Sequence, residues 1–152
     1  MALFDIKTTL ETVEDWFTKS GYFRKVQIGE PKEPPSEDYT AALYMDSVTV
    51  AKVYLNGGTQ EIHQVVLRVY RDMLAEPQAD IELQLAKLVE SVSADVLGDF
   101  DLGATILAVD VAGIHGTPYS VRWGYVTIGG KMCRTVDITI PLIVDDSITV
   151  AA

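Results

Sequence analysis

This chain has almost nothing with which to staple itself covalently or through a metal. Cys133 is its single cysteine, so no intrachain disulfide can form. It falls in a strongly alternating stretch and reads as a small packing or surface residue. A reactive thiol needs a neighbouring base or a helix N-terminus to lower its pKa, and the sequence supplies neither. Histidine is equally scarce. His63 begins a strand and His115 sits in a Gly-rich loop, and neither has a Cys or His partner at metal-site spacing, so no metal site is expected. There is no GxGxxG, no GxxxxGK[ST] and no GxSxG, which removes the usual grounds for a nucleotide, a cofactor or a nucleophile elbow.

Long apolar runs are missing too. None approaches the roughly 18 to 20 residues that a membrane span needs. Met1–Lys7 is neither basic nor followed by a signal-peptide core, so synthesis in the cytoplasm without an export signal is expected. Basic residues are few and scattered: 12 Lys and Arg stand against 22 Asp and Glu, a net charge of −10. Such a surface lacks the phosphate contacts that supply most nucleic-acid affinity and would repel DNA.

What remains is an ordinary globular composition, 48% hydrophobic and 22% charged over 152 residues. A chain of this size buries roughly two-thirds of its unfolded surface and suits one domain, 1–152, with one core. Leu3–Lys19 reads as a helix, with Leu3, Phe4, Ile6, Leu10, Val13, Trp16 and Phe17 in one stripe, Glu11, Glu14 and Asp15 opposite, and Gly21 as C-cap. Phe23–Ile28 reads as a short strand. Gly29–Asp38, with three prolines and four acids, reads as an exposed connector.

From Tyr39 to Asp72 the pattern is β. Ala41–Met45 and Val48–Leu55 are separated by Asp46-Ser47, and Asn56-Gly57-Gly58 is a strong turn signal. Glu61–Arg71 alternates, with Val65, Leu67 and Val69 on a buried face and Gln64, Arg68 and Tyr70 on a wet one. Asp80–Val96, after Pro77, reads as a second helix with Asp80 as N-cap, Gly98 as stop, and Ile81, Leu85, Leu88, Val92 and Val96 inward. Ala104–Val111 and Tyr119–Ile128 follow as strands, with a Gly113–Gly116 loop between them. A Gly129-Gly130 hairpin turn then leads into Lys131–Ile143, where Pro141 marks an edge or strand end. Strands joined by short turns and two amphipathic helices imply an α+β fold: a mainly antiparallel β-sheet with both helices packed on one face.

Candidate chemistry is thin. Asp99 and Asp101 lie in a Gly-Asp loop that lacks the spacing of a calcium loop and its closing bidentate Glu. Asp110 and Arg134, with Asp137 close by, read as a structural ion pair on neighbouring strands. The surface is more informative. Arg68, Tyr70, Arg122 and Arg134, with Tyr54, offer the aromatic and guanidinium groups enriched at protein interfaces. Met45–Leu55, read as a hairpin that includes Val48, Val50, Tyr54 and Leu55, carries more β-branched surface than an isolated arm needs and suits pairing with a neighbouring copy.

Several stretches carry a family resemblance. Val65-Val-Leu-Arg-Val-Tyr-Arg-Asp-Met-Leu74, then Pro77 and the helix from Asp80, resembles the tail terminator proteins of long-tailed bacteriophages. So do Leu97-Gly-Asp-Phe100 leading to Val109-Asp110, and the closing Gly124-Tyr125, Gly129-Gly130, Arg134 and Asp137–Val144 with Asp145 and Asp146. Ala41-Ala-Leu-Tyr44 after a Pro-rich loop fits the same order. The likeness runs from about Tyr39 to Val150 and lies in ordering and texture rather than in catalytic residues.

The resemblance implies a structural virion protein made in the host cytoplasm, not an enzyme. It implies a homohexameric ring that caps the tail tube, stops its polymerisation and offers the head-joining surface. Its partners would be other copies, the tail tube protein and the head–tail connector, with DNA passing through unbound and no cofactor or membrane involved. Alternatives are another neck component (head-closure or head–tail joining), the cap of a bacterial tail-like machine, or a small ligand-binding or enzymatic α+β domain with Asp99, Asp101, Asp110 and His115 around a pocket.

Overall fold

The computed structural model describes residues 6–32, 39–55, 57–73, 77–98, 108–114 and 116–145. Helix α1 spans Ile6–Ser20 and is followed by strand β1, Lys25–Ile28. Strands β2, Thr40–Val53, and β3, Thr59–Asp72, are fourteen residues each. Helix α2 spans Gln78–Gly98, and then come β4, Ala108–Val109, β5, Ser120–Ile128, and β6, Lys131–Asp145. The strands form one six-stranded sheet in the order β1-β2-β3-β6-β4, with β5 also on β6. Among the described residues the β1–β2 pair is parallel and the other pairs are antiparallel. This is the expected α+β fold with a mostly antiparallel, curled sheet.

The helices form where the apolar stripes demand. α1 buries Thr9, Val13 and Phe17, and Gly21 closes it at φ 80°, a conformation that glycine adopts without steric cost. α2 buries Ile81, Leu85, Val89, Val92 and Val96. Val89 is the buried residue at that turn, and Leu88, expected inward, is partly buried against the same core. Asp80 is not the N-cap: α2 begins at Gln78, Ile81 N–H bonds to Pro77 C=O at 3.1 Å, and Asp80 lies in the first turn, where its charge favours the helix dipole. Both helices join one core with Ala41, Leu43, Val65, Leu67, Val69, Val136, Ile138, Ile140 and Leu142. Tyr22 ties the end of α1 to Asp95 of α2, and Ser93 Oγ meets the Tyr119 hydroxyl at 2.8 Å ahead of β5.

Three strand expectations need correction. Asp46-Ser47 does not divide two strands. β2 runs through it and absorbs the misfit as register shifts at Met45/Ser47 and Val50/Lys52, so Met45–Leu55 is one arm of the β2–β3 hairpin rather than a hairpin of its own. Pro141 neither ends a strand nor lies on an outer one; it is buried within β6, opposite Gln64. Its carbonyl accepts the Asp110 N–H at 2.9 Å, so its missing N–H points to the same side, into the gap between the start of β5, Ser120 opposite Thr139, and the end of β4, Val109 opposite Leu142. Finally, the face of β3 away from the helices is not uniformly wet. The curl brings Ala42, Tyr70, Ile128 and Cys133 together as a second small cluster, packed by Val126.

Candidate functional site

The strand alternation sorts the predicted interface residues onto two faces. Arg68, Tyr70 and Arg122 lie on the face away from the helices, while Arg134, opposite Arg71 and Tyr125, lies on the helix side. Arg134 therefore does not join the others. It sends Nε and Nη2 to the two carboxylate oxygens of Glu82 on α2 at 2.5 and 3.3 Å, and Nη1 to Gly124 C=O at 3.1 Å. Its guanidinium also stacks 4.3 Å from the centre of the Tyr125 ring. With Met73, Gln78 and Ile81 these residues line a shallow cavity of about 130 Å³. The expected Asp110–Arg134 pair does not form: the register sets Asp110 beside Pro141, far along β6 from Arg134, and Asp110 Oδ1 accepts the Ile114 N–H at 3.0 Å.

On the other face Arg68 is the hub. Nε and Nη2 reach the two oxygens of Asp137 at 2.7 and 3.0 Å, a bidentate pair of the strong planar kind. Nη1 stands 3.6 Å from Glu30, and the guanidinium lies 5.4 Å from the Tyr44 ring centre. The hydrogen bond to Asp137 holds the guanidinium in its charged form, well above its already high ordinary pKa. Tyr70 is fully buried and gives its hydroxyl to Glu30 at 3.3 Å; burial, then the nearby Glu30 charge, raises its pKa. The same desolvation raises the Tyr44 phenol, with Asp137 adding to it. Tyr70 thus has no free surface to offer a partner. Arg122 is exposed and stands directly across from Asp137, beside the hub.

A third constellation was not anticipated. Thr9 Oγ1 of α1 lies 2.8 Å from His63 Nδ1, His63 Nε2 lies 2.7 Å from Glu61 Oε1, and the Thr59 hydroxyl donates to Glu61 Oε2 at 2.5 Å. His63 and Glu61 are wholly buried, and Thr9 and Thr59 are nearly so. The arrangement is satisfied when His63 gives Nε2–H to Glu61 and accepts the Thr9 hydroxyl at Nδ1. Hydroxyl, imidazole and carboxylate in line are the parts of a nucleophile relay. Here they are sealed under α1, so no substrate carbonyl reaches Thr9, and the chain acts as polar mortar between α1 and β3. Its signal was present in the sequence: Glu61 and His63 share the parity of Val65, Leu67 and Val69, hence the covered face.

The β2 arm is the most open part of the molecule. Val48 is half-buried, Val50 is 43% exposed, Val53 69%, and Leu55 stands fully free at the tip. Lys52 Nζ sits 5.0 Å from the Tyr54 ring centre, and Tyr54 closes the turn by donating its N–H to Gly58 C=O at 2.8 Å.

Among the described residues no three His, Cys, Asp or Glu side chains gather as metal ligands, and no helix is long and apolar enough to cross a membrane. Burial raises the Cys133 thiol pKa, consistent with a packing residue. Asp99, Asp101, His115, residues 33–38 of the acidic connector and residues 104–107 of the expected strand lie outside the described residues. Neither models of known protein families nor curated proteins match this chain.

Proposed function

We propose that this protein is a structural component of a phage virion, located at the tail–neck junction, that acts by binding and not by catalysis. In this reading it caps the tail tube as a homo-oligomeric, hexameric ring, stops tube polymerisation and presents the surface that joins the tail to the head. The tube protein, the head–tail connector and further copies of the chain are its partners, and DNA passes through without specific binding. The observation that carries the reading is the β2 arm, a long strand exposed on both faces along Thr49–Val53 with an apolar tip at Leu55. An arm of that kind is suited to engaging another chain.

Two further features support it. Its polar clusters with the strongest chemistry, Arg68–Asp137, Arg134–Glu82 and Thr9–His63–Glu61, are closed on themselves and hold the fold together. The net charge of −10 suits a channel that must let DNA slide. The sequence resemblance to tail terminators points the same way.

Electron microscopy of particles made with this gene disrupted tests the reading. Full heads beside unattached tails of irregular, overlong length are expected. Tails of uniform normal length that fail to join heads would move the protein to the head side of the neck. Normal infectious particles would refute the assembly role altogether.

A further inference from the structure

The sheet ends on opposite sides in two long edges, and their chemistry matches. At one end β1 covers only Thr40–Leu43 of β2, so from Tyr44 to Val53 no described strand lies on the outer side. At the other end β5 bonds to β6 along Ser120–Ile128, and no described strand pairs with its outer side. We propose that a second copy of this chain docks here by strand addition, the β2 edge of one molecule pairing with the β5 edge of the next. This deepens the ring reading above by naming its interface.

Direction, backbone and side chains all fit. β2, β3, β6 and β5 alternate in direction, so when molecules are arranged in the same sense the β5 edge of one meets the β2 edge of its neighbour antiparallel. The Gly129-Gly130 turn, with φ of 57° and 82°, pairs Ile128 with Lys131, so even-numbered β5 residues bond to β6. Val121, Trp123, Tyr125 and Thr127 therefore turn their backbone groups outward. On β2, Leu43 C=O bonds outward to Gly29 N–H at 2.9 Å, which assigns the odd residues of β3 to β6. Their β2 partners Val48, Val50 and Val53, opposite His63, Glu61 and Thr59, turn outward in the same way.

The residues with outward backbone groups on both edges carry their side chains on the helix side of the sheet. Pairing them would set Val48, Val50 and Val53 beside Trp123, which is 41% exposed, and Tyr125, 59% exposed, in one apolar strip. Each molecule carries both halves, so the contact is heterologous, the kind that closes a ring or propagates. The two register shifts in β2 leave Ser47–Val50 as the regular stretch between them, and that stretch is the expected centre of the new ladder.

The test uses two full-length variants, Val50→Lys with Val53→Lys, and Trp123→Lys with Thr127→Lys. Circular dichroism and melting confirm that they fold. In sedimentation velocity the unaltered protein is expected to self-associate as concentration rises, and each variant alone to stay a single chain. A mixture of the two is expected to form a two-chain species and nothing larger, because each variant keeps the half the other lacks. Association of the Trp123 variant at the unaltered level would overturn the pairing, as would a monomeric unaltered protein. If a variant fails to fold, hydrogen exchange on the unaltered protein decides instead. Protection of amides at 48–53 and 121–127 that grows with concentration is expected, and unchanged exchange at both edges would overturn the proposal. Tail length in particles tests the terminator reading separately. A ring built through another face would leave that reading standing and sink only this interface.

Discussion

Glu61→Ala is the most informative perturbation of the fold. Glu61 accepts two hydrogen bonds, from His63 Nε2 and from Thr59 Oγ1, in a site with no exposure to water. Truncation removes the carboxylate that both donors reach, at about 1–3 kcal/mol each. Because the partners are small and local relaxation recovers some contacts, the expected total is about 3–5 kcal/mol, the range for breaking a buried polar pair. Glu61→Gln is the control. Its amide oxygen can still accept from Thr59, and its NH₂ can donate to His63 Nε2 once the imidazole proton moves to Nδ1 and is given to the Thr9 hydroxyl. Every bond of the chain survives with the tautomer reversed, so the Gln variant should lose no more than about 1 kcal/mol.

Urea unfolding reads the difference. With a slope of about 1–3 kcal/mol per molar, the Ala variant's midpoint should fall by about 1–5 M while the Gln variant stays near the unaltered protein. Equal losses for Ala and Gln would refute the reasoning, because the argument depends on satisfaction of the donors and not on the shape of residue 61. A small loss for both would mean that the Thr9–His63–Glu61 chain does not hold α1 to the sheet.

Two further outcomes follow from the face away from the helices. Arg68→Ala and Asp137→Asn, whose side chains are about a quarter exposed, should couple in a double-mutant cycle by about 1–2 kcal/mol; additivity within error would show the bidentate pair to be incidental. Tyr70 has a folded-state pKa raised by burial, so its contribution is fully present below the unfolded phenol value of about 10 and is lost as pH climbs toward the folded one. The stability curve should therefore fall on the alkaline side, and Tyr70→Phe should flatten that limb in pH-dependent denaturation. An identical alkaline limb in the Phe variant would contradict the assignment.

Elements set by local pattern were legible from the chain alone. The stripe through Val13 and Phe17, the stop at Gly21, and the hairpin at Gly129-Gly130 each depend on residues a few positions apart, and each stands where its chemistry places it. What escaped depends on distant partners. Asp46-Ser47 looks like a break, yet β3 holds β2 in line on both sides of it, and a bulge costs less than losing the ladder beyond. Tyr70 reads as a polar-tipped outward residue until the curl brings Ile128 and Cys133 over it. Arg134 was grouped with Arg68 by residue type, whereas its own parity with Val136 already set it on the opposite face, toward Glu82. Of the expected contact residues, Val48, Val50, Tyr54 and Leu55 lie along one arm and its tip, Arg68 and Arg134 are tied to Asp137 and Glu82, and Arg122 is exposed.

Pro141 gives β6 a seam. Because this residue has no N–H to donate, the edge of β6 cannot hold one continuous neighbour, and two separate strands share it, β5 along its first half and β4 beyond. Among the described residues β4 pairs with β6 at two positions, with the Asp110–Pro141 bond beside them, and β5 pairs at nine. The seam divides the outer edge of β6 into two independent ladders, so loss of the β4 pairs need not disturb the nine pairs of β5.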